Sequence, residues 1–136
     1  MRYIILILTL VFSFNSFCQN QQDKYYTSGF KKYKLEDYVS AIADFNKAIE
    51  LNTNSSKTND AIYFRAQAKY FLEDYYGAIY DFTTFLEINY EFSEGYWNRG
   101  MVKEKIGDLN GACADYKKAA NLGDKSLQRE ISENCR

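Results

Sequence analysis

Three stretches of the chain repeat one another, and they decide the fold. The central stretch, LEDYYGAIYDFTTFLEIN, covers residues 72–89. LEDYVSAIADFNKAIELN precedes it at residues 35–52, and a more distant copy, IGDLNGACADYKKAANLG, follows at residues 106–123. Aligned on the alanine at their seventh place, the copies lie 37 and 34 residues apart. Self-similarity at such a period is typical of a supersecondary unit that stacks on copies of itself.

Each copy has the pattern of the second helix of a two-helix unit. Apolar residues recur at helical spacing, and an aromatic side chain follows the aligned alanine by four residues. These pairs are Ala41 and Phe45, Ala78 and Phe82, and Ala112 and Tyr116. The segments upstream show the same spacing, and the turns between them carry aspartates that can cap the second helix. These aspartates are Asp37, Asp74 and Asp108. Because one hairpin of this size cannot bury its apolar faces alone, the sequence predicts a stack of helix hairpins.

The units resemble the tetratricopeptide repeat, whose pattern is W-x2-L-G-x2-Y, then A-x3-F, then P near the end. The first helices supply matches at the same places: Tyr25, Ser28 and Gly29; Ile62, Arg65 and Ala66; Tyr96, Arg99 and Gly100. The resemblance places repeats at about residues 22–55, 59–92 and 93–124. It implies an all-α, right-handed superhelix of three antiparallel hairpins.

The chain departs from the family pattern at two places in each repeat. Lys32, Lys69 and Lys103 stand where the family prefers tyrosine, and Thr53, Tyr90 and Asp124 stand where it prefers proline. The polar stretch at residues 52–60 reads as a loop with a short insertion. After the third repeat, Leu127 and Ile131 lie one turn apart in a segment that we expect to form a capping helix over about residues 124–135.

The first segment has the pattern of a secretory signal peptide. Arg2 precedes an apolar stretch, and Ser16 and Cys18 stand at the −3 and −1 places of a cut after Cys18. We therefore expect residues 19–136 to form one repeat domain, exported to the periplasm or secreted. An uncleaved anchor helix is the alternative, although the apolar run is shorter than the ~20 residues that span a bilayer. Acylation of Cys18 is disfavoured because Asn15 and Phe17 fit the bacterial lipobox poorly.

The amino-acid composition argues against catalytic activity, metal binding and nucleic-acid binding. The 136 residues include no histidine, which removes the commonest general base and the commonest metal ligand. The formal net charge of −1 gives no general attraction to phosphate, so nucleic acid is disfavoured as a partner. The sequence has no Ser-His or Cys-His constellation and no glycine-rich phosphate loop. We therefore expect no enzymatic activity, no cofactor and no metal.

Two cysteines, Cys113 and Cys135, would remain after cleavage. An even number in an oxidising compartment favours a disulfide. In a hairpin that turns near Asp124, each cysteine lies 11 residues from the turn. The bond would hold the capping helix against the third repeat, and two separate thiols are the alternative.

The family resemblance also implies a concave groove that is lined by the first helices and commonly binds a peptide or a partner's helix. By that analogy the inward positions are Tyr26, Phe30, Tyr33, Tyr63, Gln67, Tyr70, Trp97, Met101 and Glu104. Large rings suit contact surfaces, while packing between helices is the alternative for each of them.

Some family members grip a carboxylate with Lys, Arg and Asn side chains. The corresponding places here hold Tyr26, Phe30, Phe64, Glu94 and Asn98, of which Asn98 alone fits, so this mode is disfavoured. Arg65 and Arg99 either bind an anionic group or pair with Asp81 and Asp115.

The sequence thus predicts a non-enzymatic scaffold that binds a peptide or helix of another envelope or secreted protein. The alternative is a homo-oligomeric assembly subunit that associates through its aromatic surfaces. A membrane would be involved only through an uncleaved signal segment.

Overall fold

The computed structural model describes residues 2–51, 56–123 and 135. Six helices form this part of the chain: α1 (Arg2–Lys34), α2 (Tyr38–Leu51), α3 (Ser56–Phe71), α4 (Tyr75–Ile88), α5 (Ser93–Lys105) and α6 (Leu109–Leu122). No strand occurs among the described residues. Successive helices form the three expected hairpins, α1 with α2, α3 with α4 and α5 with α6. The all-α prediction is confirmed.

Helix α1 continues without interruption through Cys18, the expected cleavage point. Removal of residues 1–18 therefore stays a prediction. In the part of the chain that the structure describes, no helix combines the length and the apolar character needed to cross a membrane. The expected capping helix at residues 124–135 lies outside the described residues, apart from Cys135.

The expected loop at residues 52–60 is wrong for its second half. Helix α3 already begins at Ser56, while residues 52–55 lie outside the described residues. Two contacts join the first turn of α3 to α1: Lys57 Nζ lies 2.9 Å from Asp23 Oδ1, and Gln22 Nε2 donates to Thr58 Oγ1 at 2.6 Å. Contacts so distant in sequence cannot be read from the local polar composition, which favours a loop.

The turn inside each hairpin repeats one backbone conformation. The residue before each capping aspartate has a positive φ, 62° at Glu36, 61° at Glu73 and 81° at Gly107. The aspartates cap the second helices as predicted, because the Oδ1 atom of each accepts a hydrogen bond from the backbone N–H three residues later. Ser40 donates to Asp37 at 3.2 Å, Gly77 donates to Asp74 at 3.0 Å, and Gly111 donates to Asp108 at 2.9 Å. Hydrogen bonds from Ser40 lower the pKa of Asp37. The aspartates of these turns therefore have a structural role.

The first compact unit of the chain, residues 1–61, contains the α1–α2 hairpin. Gly29 brings the two helices close together, since a Cβ at this position would lie 2.9 Å from Cδ1 of Phe45. Phe45 and Ala48 are fully buried. Gln22 is buried as well, and its Nε2 donates to the carbonyl of Ala48 at 3.0 Å. A small residue facing an aromatic ring therefore sets the distance between these helices.

The second compact unit begins at Ile62 and contains the successive packing of α3 to α6. The same close approach recurs where Gly100 of α5 faces Tyr116 of α6, with 2.6 Å between the Cβ position and Cε1. In α3 the corresponding residue is Ala66, which is fully buried. The small residues of the repeat pattern thus lie at the helix contacts where the sequence places them.

On each second helix a carboxylate binds polar side chains of the first helix, an arrangement that we call the carboxylate clasp. Asp81 and Asp115 are buried, and Asp44 is half-buried. Asp81 contacts Arg65 (2.7 and 2.8 Å) and Lys69 Nζ (2.8 Å). Asp115 contacts Arg99 (2.6 and 2.8 Å) and Lys103 Nζ (2.8 Å). Asp44 accepts from Ser28 Oγ (2.6 Å) and Lys32 Nζ (2.7 Å). Pairing of Arg65 and Arg99 is therefore the correct interpretation of the two left open. Of the lysines that depart from the family pattern, Lys69 and Lys103 are the second cations of their clasps, and Lys32 is the one cation that binds Asp44.

Candidate functional site

The second unit contains a pocket of about 180 Å³ between α3 and α5. Its lining residues are Gln67, Tyr70, Phe71, Phe82, Glu94, Asn98, Met101 and Val102. Those on α3 and those on α5 are spaced by three or four residues, so each helix presents one face to the pocket. Both are first helices of their hairpins, as the predicted groove requires.

Tyr63 supports this pocket from the protein interior. The side chain is buried, with ring centroids 4.9 Å from Phe85 and 5.4 Å from Phe92. Its hydroxyl donates to Glu94 Oε1 at 2.9 Å and accepts from Asn98 Nδ2 at 2.9 Å. Tyr63 therefore orients two lining side chains but offers little surface of its own.

Trp97 and Glu104 lie in a separate cluster with Tyr116 of α6. The rings of Trp97 and Tyr116 have centroids 4.6 Å apart, and the Tyr116 hydroxyl donates to Glu104 Oε2 at 2.8 Å. Burial, together with this hydrogen bond, raises the pKa of Tyr116. Trp97 is half-buried, so part of its ring stays available for contact.

The three predicted residues of the first repeat form a stacked row on α1. Ring centroids are 6.2 Å apart between Tyr26 and Phe30 and 6.5 Å apart between Phe30 and Tyr33. All three are half-buried. Burial, reinforced by the nearby charge of Asp60, raises the pKa of Tyr26. This row belongs to the first unit.

The structure thus brings three of the nine predicted contact residues into one pocket, Gln67, Tyr70 and Met101. Five lining residues were not predicted as contacts: Phe71, Phe82, Glu94, Asn98 and Val102. Helical spacing offers a signal for most of them, because Phe71 follows Gln67 by four residues and Asn98 follows Glu94 by four. Contact between any of these residues and a partner stays a prediction.

The structure joins Cys113 of α6 to Cys135 by a disulfide, with 2.04 Å between the Sγ atoms. Among the described residues, no three His, Cys, Asp or Glu side chains lie close enough together to hold a metal ion. The pocket lining combines apolar side chains with the polar groups of Gln67, Glu94 and Asn98.

A family model for the tetratricopeptide repeat matches residues 93–125, which contain α5 and α6. The tetratricopeptide-repeat domain of Arabidopsis OM64 has a similar structure, with a TM-score of 0.74 and 21% identity over 85% of this chain and 98% of that one. This chain has the tetratricopeptide-repeat fold.

Two further solved structures are similar to this chain. One is the second such domain of human RPAP3 in complex with the HSP70 peptide SGPTIEEVD (TM-score 0.74, 22% identity, 88% of this chain and 98% of that one). The other is the Yersinia enterocolitica type III secretion chaperone SycD in complex with a peptide of the translocator YopD (TM-score 0.72, 15% identity, 83% and 88%). No curated protein matches the sequence. These likenesses establish the fold.

Proposed function

We propose that this tetratricopeptide-repeat protein is a non-enzymatic interaction module that binds a peptide or helix segment of another protein between α3 and α5. The observation that carries this proposal is the pocket of about 180 Å³, which combines apolar walls with a few polar groups. Two similar structures were solved with bound peptides, which supports the same use here. The lack of histidine leaves little basis for catalysis.

Binding at this site would use burial and shape. An apolar side chain that enters the pocket leaves water, and Met101 can adjust to its shape because the thioether is unbranched and flexible. Tyr63 is held by ring contacts and by two hydrogen bonds, so the floor of the pocket is formed before binding. A preformed site avoids part of the ordering cost that otherwise weakens association.

The proposal is tested by selecting ligands from a random peptide library against the purified chain and measuring their affinity by fluorescence anisotropy. Met101→Asp should weaken the selected peptides at least about tenfold, because it places a carboxylate in the apolar wall. Tyr80→Asp is the control, because Tyr80 is an exposed α4 residue outside the pocket lining. Circular dichroism confirms that both variants fold. Equal affinity in the parent and Met101→Asp would place the binding site elsewhere.

We further propose that the module acts in the periplasm or outside the cell, after removal of residues 1–18. The signal-like N-terminal pattern and the disulfide between Cys113 and Cys135 both support this location. Intact mass and N-terminal sequencing of the protein recovered from its producing cell should give Gln19 as the first residue and two fewer hydrogens than the reduced mass. A cytosolic protein that begins at Met1 with free thiols would refute the assignment.

Self-association is a second candidate function, favoured by the exposed rings of α4. Tyr76 and Tyr80 lie one turn apart and are 76% and 69% exposed. Multi-angle light scattering over a range of concentrations should show an oligomer that Tyr80→Asp disrupts and Met101→Asp does not. A monomer at every concentration removes this candidate.

A further inference from the structure

The pocket between α3 and α5 has room for one side chain. Its volume of about 180 Å³ is comparable to the roughly 150 Å³ apolar cavities that accept a benzene-sized molecule in other proteins. The apolar and aromatic lining side chains are Tyr70, Phe71, Phe82, Met101 and Val102. A leucine, methionine or phenylalanine side chain therefore matches the site in size and polarity.

The polar lining groups include one carboxylate, Glu94, which is a hydrogen-bond acceptor. The Tyr63 hydroxyl gives its one proton to Glu94 Oε1, so it must accept from the Asn98 amide nitrogen. Glu94 Oε2 and Asn98 Oδ1 are acceptors, and the Asn98 amide keeps a second N–H beside the one that it gives to Tyr63. A ligand group that binds Glu94 Oε2 must be a donor, and a carboxylate favours a cationic donor.

The cations of the neighbouring helix turns are held by the clasps. Arg65 and Lys69 contact Asp81 at 2.7 and 2.8 Å, and Arg99 contacts Asp115 at 2.6 Å. Of the lining residues that the structure describes, Glu94 is the one with a charged side chain. The contact surface of the pocket is thus apolar and acidic.

We propose that the pocket recognises a segment whose leucine, methionine or phenylalanine side chain enters the cavity while an adjacent lysine or arginine binds Glu94. This inference rests on the proposed function and adds the chemical class of the ligand. An acidic segment is rejected, because its carboxylates would face Glu94 without a lining cation to offset the repulsion.

The position of Glu94 has a second effect that must be separated from binding. Glu94 lies in the first turn of α5, where an acidic side chain stabilises the helix. That effect predicts a change in unfolding on substitution, but it predicts no dependence of binding on the charge of the ligand. The charge preference of the ligand is therefore the informative measurement.

The test uses three fluorescein-labelled peptides that share a central leucine and differ in whether lysine, glutamine or glutamate flanks it on each side. Affinity for the purified full chain should follow the order lysine, glutamine, glutamate, with roughly tenfold between the extremes. Glu94→Gln should reduce this ratio to about twofold or less without abolishing binding of the glutamine peptide. Raising NaCl from about 0.05 M to about 0.5 M should narrow the ratio in the parent.

Glu87→Gln is the matched control, because it removes one exposed acid of α4 outside the pocket lining and should leave the ratio unchanged. A ratio near one in the parent, a preference for glutamate, or a preference that survives in Glu94→Gln overturns the inference. The inference is also overturned if none of the three peptides binds while library-selected peptides do bind at Met101. If library selection also yields no ligand at this site, the proposed function itself is wrong.

Discussion

Replacing Asp81 with asparagine tests the carboxylate clasp most directly. The Asp81 side chain is fully buried and contacts two cations, Arg65 and Lys69, which are 16% and 19% exposed. Asparagine keeps the shape but leaves both cations without their counter-charge. Removal of one partner from a buried ion pair costs about 3–5 kcal/mol, and partial access of water to the cations places the expected loss near about 3 kcal/mol. The loss is measured by urea unfolding followed by circular dichroism.

Asp44 provides an internal comparison because it occupies the same place in the first repeat. Its side chain is 16% exposed and binds one cation, Lys32, which is itself 36% exposed. Asp44→Asn should therefore lower the unfolding free energy by about 1 kcal/mol. Glu87→Gln, at an exposed site of α4, should change it by less than about 0.5 kcal/mol. A loss for Asp81→Asn no larger than that for Asp44→Asn would refute the assigned role of the second cation.

The further predictions concern the turns, a tyrosine and the disulfide. Gly107→Ala should lower the unfolding free energy by about 1 kcal/mol, because φ is 81° and an added Cβ meets no atom within 4 Å, so the cost is that of the backbone alone. Glu73→Gly, at φ 61°, should raise the unfolding free energy by at most about 0.5 kcal/mol. A loss of stability would contradict the argument that the positive φ strains Glu73. The raised pKa of Tyr116 means that the folded state holds the proton more tightly, so stability should fall as pH rises above the ordinary value of 10.0, and less steeply in Tyr116→Phe. The urea midpoints of the parent and of Tyr116→Phe at pH about 9 and about 11 measure this difference. An equal change in midpoint for the two proteins would exclude a contribution from Tyr116. Cys113→Ser should cost about 3 kcal/mol for the 22-residue separation from Cys135, and a variant as stable as the oxidised parent would show that the bond constrains nothing.

The hairpins were predictable because each feature that defines them is local and is written three times. The turn with Asp74 fixes both the end of one helix and the cap of the next, and the period carries that assignment to its copies. The start of α3 was not predictable from the same evidence. Polar residues at the start of α3 favour a loop by composition, and the contact between Lys57 and Asp23 that orders them joins residues far apart in sequence.

The positions of the candidate site residues along their helices could be predicted from the sequence, but the burial of their side chains could not. Tyr26, Tyr63 and Trp97 occupy the same place in the three repeats, yet Tyr63 is buried while the other two are half-buried. The difference comes from Phe92, which precedes α5 and covers the Tyr63 ring at 5.4 Å. Phe92 lies after α4 and outside the helix that contains Tyr63, so the pattern of a single helix cannot reveal this cover.

The clasp separates the stability of the fold from the charge of the pocket. Arg65 and Lys69 lie one turn apart on α3, where two like charges repel unless a carboxylate lies between them. Asp81 meets both, so the lysine that replaces the family's tyrosine requires the buried acid of the next helix. Because these cations are held against α4, they do not join the pocket lining, and Glu94 alone sets the charge there. A change of Lys69 to the family's tyrosine would therefore remove one clasp contact and leave the acidic character of the pocket intact. The charge preference for ligands and the stability of the hairpin should consequently respond to different substitutions.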